Sequence, residues 1–382
     1  MAGRARESRR CTILVAAIGR EVVTLGREGH VMKFAHMSHI WRKPGMSVAE
    51  RYAQLWRELE LCDTVGFDYG FCVEHHLNPI ESLSCSPPLY IAGAAARTRN
   101  LRLGAMGWLV PLYDPLRVVE EVVSLDNLTQ GRLDVGLVSG AMPEQFVPYQ
   151  ADFEHRREIA VEGYELLKTA CANPRGFSFS GPYHQYHDVS LQMAPYQQPH
   201  PPVWFETRHA PTLQYLAEQG IHTGYVHYVP RDEMAELYRE YIHRWREVGH
   251  TQKPDINYWI LTYVDETDDR AWEVAGPSWV QVYKDVAPVD GLIQNRIRRG
   301  ELKGAELLQH FTDPPYMREH GIGLIGSPDT VASQLREYAR EGSFNMLLGE
   351  FNFGYLTEEQ LMRSIRLFGE EVIPRLRDYE PY

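Results

Sequence analysis

Eight short apolar, strand-like segments alternate with helix-like ones along most of this 382-residue chain. They fall at 31–40, 67–73, 101–110, 133–139, 203–206, 222–226, 256–264 and 344–350. Helical patterns occupy 47–64, 87–97, 115–128, 153–171, 211–218, 231–248, 268–286, 328–340 and 357–376. In the first of these, Val48, Tyr52, Leu55, Leu59 and Cys62 recur three or four apart, the spacing of one helix face. Ser47 followed by Glu50 reads as a capping box, and Gly66 as the glycine that ends the helix. Parallel strands need crossover connections, so strands separated by helices predict a parallel sheet. Eight such units over about 350 residues predict a (β/α)8 TIM barrel with insertions. The rival is an open doubly wound sheet, but the first strand-to-helix turn lacks the GxGxxG fingerprint of a dinucleotide site. A Tyr-, His- and Ser-rich stretch at 177–193 reads as an inserted hairpin.

Composition narrows the function classes. With 39 basic against 51 acidic residues the net charge is −12, the wrong sign for sequence-independent nucleic-acid binding. No apolar run is long enough to span a bilayer. Five cysteines, none in a CxxC pair, suggest neither a disulfide framework nor a structural zinc site. A cytoplasmic location is the expectation. Residues 1–31 read differently from the rest. Arg4, Arg6, Arg9 and Arg10 precede a short apolar stretch, like the opening of a signal peptide, but no small-x-small cleavage site follows. Met32 is therefore taken as the native start, 1–31 as an extension, and 32–382 as one barrel domain.

A barrel of this type places its chemistry at the C-terminal ends of its strands. Those ends carry His39, Glu74-His75-His76, Gly107-Trp108, Ser139-Gly140, Glu206-Thr207, His227, Tyr263 and Glu350. A mouth lined by imidazoles and by Trp41, Trp108, Trp204 and Phe205 suits a flat conjugated ligand and proton transfer. Within it Glu74-His75-His76 is the sharpest signal. Successive residues on a strand point to opposite faces, so at most one of the two histidines faces the axis while the strand lasts. His75 is the candidate general acid/base. Loop pinning is the bland alternative for the pair, and a metallohydrolase with His39, Glu74 and His227 as further ligands is a third. A weakly periodic stretch, Lys284 to Tyr316, carries Arg296, Arg298, Arg299 and Lys303. It reads as a lid over an anionic cofactor, or as a solvated charged insertion.

Several matched stretches, in order, resemble the bacterial luciferase-like flavin monooxygenases over 32–382. They are Met32-Lys33-Phe34, Gly66-Phe67-Asp68, Glu74-His75-His76, Asp126 to Arg132, Pro199 to Glu206, Gly326-Ser327-Pro328 and Glu371 to Pro374. The resemblance implies a barrel that binds FMN in its reduced form, supplied by a separate flavin reductase. Oxygen would add to give a C4a-peroxyflavin that oxygenates a small or medium hydrophobic molecule. His75 would be the acid/base beside the flavin, with His76 and Glu74 supporting it. Met106-Gly107 would form a non-proline cis peptide against the isoalloxazine. Glu206-Thr207 would lie at the flavin and its phosphate, and 286–323 would be the mobile loop.

Two departures qualify the resemblance. Ser139-Gly140-Ala141 stands where luciferases carry a phosphate-binding arginine, so Arg208 is the candidate replacement. Val138 stands where luciferases have a reactive cysteine, which makes plain oxygenation a better expectation than light emission. A deazaflavin-dependent hydride transfer and a non-catalytic partner subunit are the competing readings. No metal is expected. A homodimer is expected by analogy with the family.

Overall fold

The computed structural model describes residues 32–226, 230–286 and 312–382. Its strands are β1 (Lys33–Ser38), β2 (Tyr69–Cys72), β3 (Arg102–Leu109), β4 (Leu133–Val138), β5 (Phe177–Ser180), β6 (Gln185–Val189), β7 (Val203–Trp204), β8 (Thr223–Val226), β9 (Ile256–Val264), β10 (Leu324–Gly326) and β11 (Met346–Glu350). Its helices are α1 (Val48–Val65), α2 (Pro87–Ala95), α3 (Pro115–Leu128), α4 (Pro143–Phe146), α5 (Arg156–Ala172), α6 (Ala210–Gln219), α7 (Arg231–Glu247), α8 (Asp268–Val286), α9 (Pro314–Glu319), α10 (Pro328–Gly342), α11 (Glu358–Leu367) and α12 (Ile373–Leu376).

Parallel ladders run β11-β1-β2-β3-β4-β7 and β8-β9-β11. A parallel bridge between Trp204 and His222 joins β7 to β8. There the Phe205 N–H donates to the His222 carbonyl at 2.9 Å, and the His222 N–H to that of Val203 at 2.9 Å. The ring therefore closes on eight strands, the same eight that the sequence marks, and the fold is the expected (β/α)8 barrel. β5 and β6 form the expected antiparallel hairpin. β10, which sequence reading did not separate from its surroundings, extends the ladder only at the late end of β9.

Local chemistry sets the element ends. Ser47 and Glu50 make the capping box on α1, and Gly66 closes the helix at φ 109, a conformation that glycine adopts without a Cβ clash. Asp114 caps α3 with Pro115 behind it. Ser327 caps α10, and Thr357 with Gln360 forms a second capping box on α11.

Alternation along the strands separates two packed layers. Ala35, Met37, Phe71, Met106, Met346 and Leu348 fill the barrel interior, while Phe34, Leu103, Val135 and Leu347 join the helices outside. The N-terminal end of the barrel is plugged by ion pairs, Lys33–Asp255 and Arg102–Asp134. Trp204 lies beside them, its indole N–H donating to Asp134 at 3.0 Å. A charged plug of this kind leaves the opposite end as the open one.

Three expectations need correction. Trp108 is fully buried and packs in the outer core, not in the mouth. The ladder from β3 to β4 shifts register between Ala105 and Trp108, so the simple in-and-out count fails there. Trp204 and Phe205 are also core residues. In the stretch read as a lid, 312–323 includes α9, whose Met317 is fully buried in a cluster with Trp279 of α8. Residues 1–31 and 287–311, with Arg296, Arg298, Arg299 and Lys303, lie outside the described residues, as does His227.

Candidate active site

The open end gathers β1, β2, β3 and β11 around three imidazoles, each with its own carboxylate. His39 follows β1, and its Nδ1 is 2.8 Å from Glu350 Oε2 at the end of β11. His75 follows β2, with Nδ1 3.1 Å from Glu81 Oε1 and 3.5 Å from the Gln145 amide. His76 turns away from both. Its Nε2 donates to Glu74 Oε1 at 2.7 Å, which leaves Nδ1 to accept from the Tyr149 hydroxyl at 2.9 Å.

The tandem histidines thus point apart, in the turn that follows the end of β2 at Cys72. Glu74, buried, also accepts the Leu109 N–H at 2.7 Å and the Tyr113 hydroxyl. Glu74 and His76 therefore tie the end of β2 to the end of β3 and to the turns beyond. His75 is the member of the triplet that stacks at the mouth. Its ring lies 5.6 Å from that of His39 at 24°, and His39 lies 4.7 Å from Trp41 at 14°. Arg51, fully buried on α1, holds this segment in place. Its Nε donates to the Trp41 carbonyl at 2.7 Å, and its Nη1 to Glu58 at 2.8 Å.

The cis peptide expected between Met106 and Gly107 is present. Gly107 meets Gly136 of β4 so closely that a Cβ on it would stand 2.3 Å from the Gly136 carbonyl oxygen. Two glycines facing each other let β3 and β4 approach backbone to backbone here.

Ser139-Gly140-Ala141 forms a turn with Gly140 at φ 78. The Arg156 Nε donates to the Gly140 carbonyl at 3.1 Å, so a cation lies beside the turn that lacks the arginine. After β7, Glu206 is half-buried, and burial lifts its pKa to about 7. The Asn257 amide lies close enough to offset part of that shift, yet neither of its polar atoms reaches hydrogen-bond geometry with a partner among the described residues. An orphaned, fully buried amide implies a missing partner. Thr207 Oγ1 accepts the His209 N–H at 3.1 Å, just before α6, and Arg208 is exposed beside it.

Sequence reasoning did not single out Glu81, Gln145, Tyr113, Tyr149, Asn257 or Arg156. Five of these sit outside the strand ends where the chemistry was sought. Asn257, near the start of β9, faces a barrel interior that strand alternation alone would have filled with apolar groups. His39 was marked as a strand end and a possible metal ligand, and Glu350 only as a strand end far from it in sequence. Among the described residues no three His, Cys, Asp or Glu side chains converge to hold a metal, so the metallohydrolase alternative lacks a donor set there. None of the described helices is long and apolar enough to cross a membrane.

The luciferase-like monooxygenase profile matches residues 32–343. The chain belongs to the luciferase-like monooxygenase family. Among similar proteins in this family, the uncharacterised y4wF of Sinorhizobium fredii is 33% identical over 87% of this chain and 94% of its own. The alkanal monooxygenase alpha chain of Aliivibrio fischeri is 25% identical over 91% and 99%. The fold agrees with that of the oxygenating constituent of 3,6-diketocamphane monooxygenase from Pseudomonas putida, solved with FMN. That likeness has a TM-score of 0.75 at 20% identity and covers 90% of this chain and 98% of the other. An F420-dependent secondary alcohol dehydrogenase gives a TM-score of 0.68 at 16% identity, covering 91% and 99%. The solved members of this fold thus include both flavin and deazaflavin proteins.

Proposed function

We propose that this protein is the oxygenating component of a two-component monooxygenase, using reduced FMN from a separate flavin reductase and O2 to oxygenate a small or medium hydrophobic molecule. The observation that carries the reading is the mouth itself, where His75 stands beside an aromatic stack and the Met106-Gly107 segment. The residues fit a flavin. Gly107 and Gly136 bring the backbones of β3 and β4 together beside the Met106-Gly107 segment, and the orphaned Asn257 amide offers a donor and an acceptor within the barrel. Met106, Gly107, Glu206 and Thr207 would hold the ring end. Ser139, Gly140, Ala141, Arg208 and Arg156 would hold the phosphate near the start of α6.

Reduced FMN, when bound, supplies the two electrons that activate oxygen. The protein supplies the rest. His75, its Nδ1 set by Glu81, moves a proton at its other ring nitrogen. Glu74 and His76 hold the turn that carries it. Trp41 and the buried aromatic cluster beside it exclude water. His75→Ala is expected to lower turnover at least about tenfold through lost proton transfer, while flavin affinity stays near that of the wild type. Single-turnover stopped-flow with reduced FMN measures both, and unchanged product yield and rate would remove His75 from the mechanism.

The missing phosphate arginine at Ser139-Gly140-Ala141 favours one second reading, hydride transfer with a deazaflavin. Parallel titrations with reduced FMN and reduced F420 decide between them. Tighter binding of F420, with no oxygen consumption, would sink the oxygenase reading. The active unit is a homodimer in this proposal.

A further inference from the structure

His39 and Glu350 form a pair that neither the Glu-His-His triplet nor the flavin-contacting segments include. Glu350 is fully buried, and its carboxylate accepts the backbone N–H of His39 at 3.2 and 3.3 Å besides facing His39 Nδ1 at 2.8 Å. The side chain of His39 is itself only 11% exposed. Its ring is clamped between Trp41 and His75 and lies 4.9 Å from Trp259. With Nδ1 taken by Glu350, the remaining ring nitrogen, Nε2, makes no hydrogen bond with any described residue. A carboxyl behind an imidazole whose other nitrogen is open is the arrangement of a relay, since the ring can accept at one nitrogen as it releases at the other.

We propose that Glu350 and His39 form a proton relay that feeds the mouth alongside His75. A proton leaves His39 Nε2 for an oxygen anion developing on the bound substrate, and the Glu350 carboxyl proton moves to His39 Nδ1. The imidazole ends neutral, and Glu350 ends as a carboxylate that accepts the His39 backbone N–H.

The surroundings support the starting state. Burial pushes the Glu350 carboxyl well above the ordinary range, against the opposing pull of His36, the His39 N–H, Arg51 and Trp259. Burial, with the facing His75, pushes His39 down to about 3, and Glu81 opposes this. Glu58 is paired with Arg51 and His36 and lies behind them on α1. Withdrawing both partners from water therefore leaves a protonated acid against a neutral base. The inference rests on the oxygenase reading for its acceptor, but the relay's resting state does not depend on any cofactor.

The test has two arms. Infrared spectra of the whole protein without flavin, at pH 9 where Glu206 has ionised, are expected to contain a protonated-carboxyl stretch that disappears in Glu350→Gln. Wild-type spectra with no such band overturn the relay, whatever the variants do. In single turnover with reduced FMN, His39→Gln, Glu350→Gln and the double variant are each expected to lose at least about tenfold in product-forming rate. The double variant should be no worse than either single one, because one path is cut twice. Multiplying losses, or a loss only in flavin affinity, overturn it too. If the band is present but no flavin binds, the oxygenase reading fails and the buried acid stands.

Discussion

A carboxylic acid poised near neutrality changes charge within the ordinary working range, and Glu206 is such a group. Its unfolded-state value lies near 4.5 and its folded value near 7, so the folded chain holds the extra proton between those values. The raised folded pKa means that the contribution to stability is complete below about 4.5. It falls as pH rises toward 7 and is lost above that. A shift of this size corresponds to at most about 3.5 kcal/mol, since each unit is worth about 1.4. Glu350, also raised by burial, adds a slope of the same sign. Glu206→Gln is therefore expected to lessen, not abolish, the fall in urea-unfolding free energy between pH 5 and pH 8. An unchanged slope would show that Glu206 is already ionised at pH 5. Glu206 lies two residues from Arg208, which the proposal places at the phosphate, so anion affinity in the wild type should weaken as pH passes 7 and stay flatter in the variant.

At the scale of elements, the facing glycines of β3 and β4 make the sharpest demand. A methyl group on Gly107 would stand 2.3 Å from the Gly136 carbonyl oxygen, and one on Gly136 would stand 2.0 Å from that of Ala105. Backbone, unlike a side-chain tip, has little room to yield. Gly107→Ala is expected to cost about 1–3 kcal/mol in urea unfolding and to weaken flavin binding further than the stability loss accounts for. Normal stability with normal flavin affinity would show that this segment is not a contact surface.

This is also the scale at which the sequence was most legible. Periodicity and caps placed the eight ring strands and helices such as α3 and α8, because binary pattern and terminal hydrogen bonding are local. Glu74-His75-His76 was legible because it ends a strand. What it leans on was not. Glu81, Gln145 and Tyr149 arrive from turns, and the Glu350 that meets His39 lies 311 residues away. Trp108 misled for a related reason, since a register shift within a strand leaves no mark on composition.

On the scale of the whole molecule, one outer face of the described residues is strongly apolar. α2 contains no charged residue, yet it lies over α3 at the surface with Leu89 74% exposed. A helix that is apolar all round is ordinarily covered. Between these helices and Leu191–Met193 runs a groove of about 690 Å³, lined by Pro88, Leu89 and Ala92 with Arg117, Glu120 and Glu121 at its rim. A two-fold interface must complement itself, and a rim carrying both signs around an apolar centre does so when the copy is reversed. The proposed homodimer therefore buries this face. Leu89→Arg is expected to convert the dimer to a monomer in sedimentation equilibrium while its circular dichroism and melting of the barrel stay near wild type. The mouth lies at the strand ends and α2–α3 on the barrel's flank, so flavin affinity per chain should survive the change. A wild-type chain that sediments as a monomer, or an L89R chain that still pairs, would place the partner surface elsewhere.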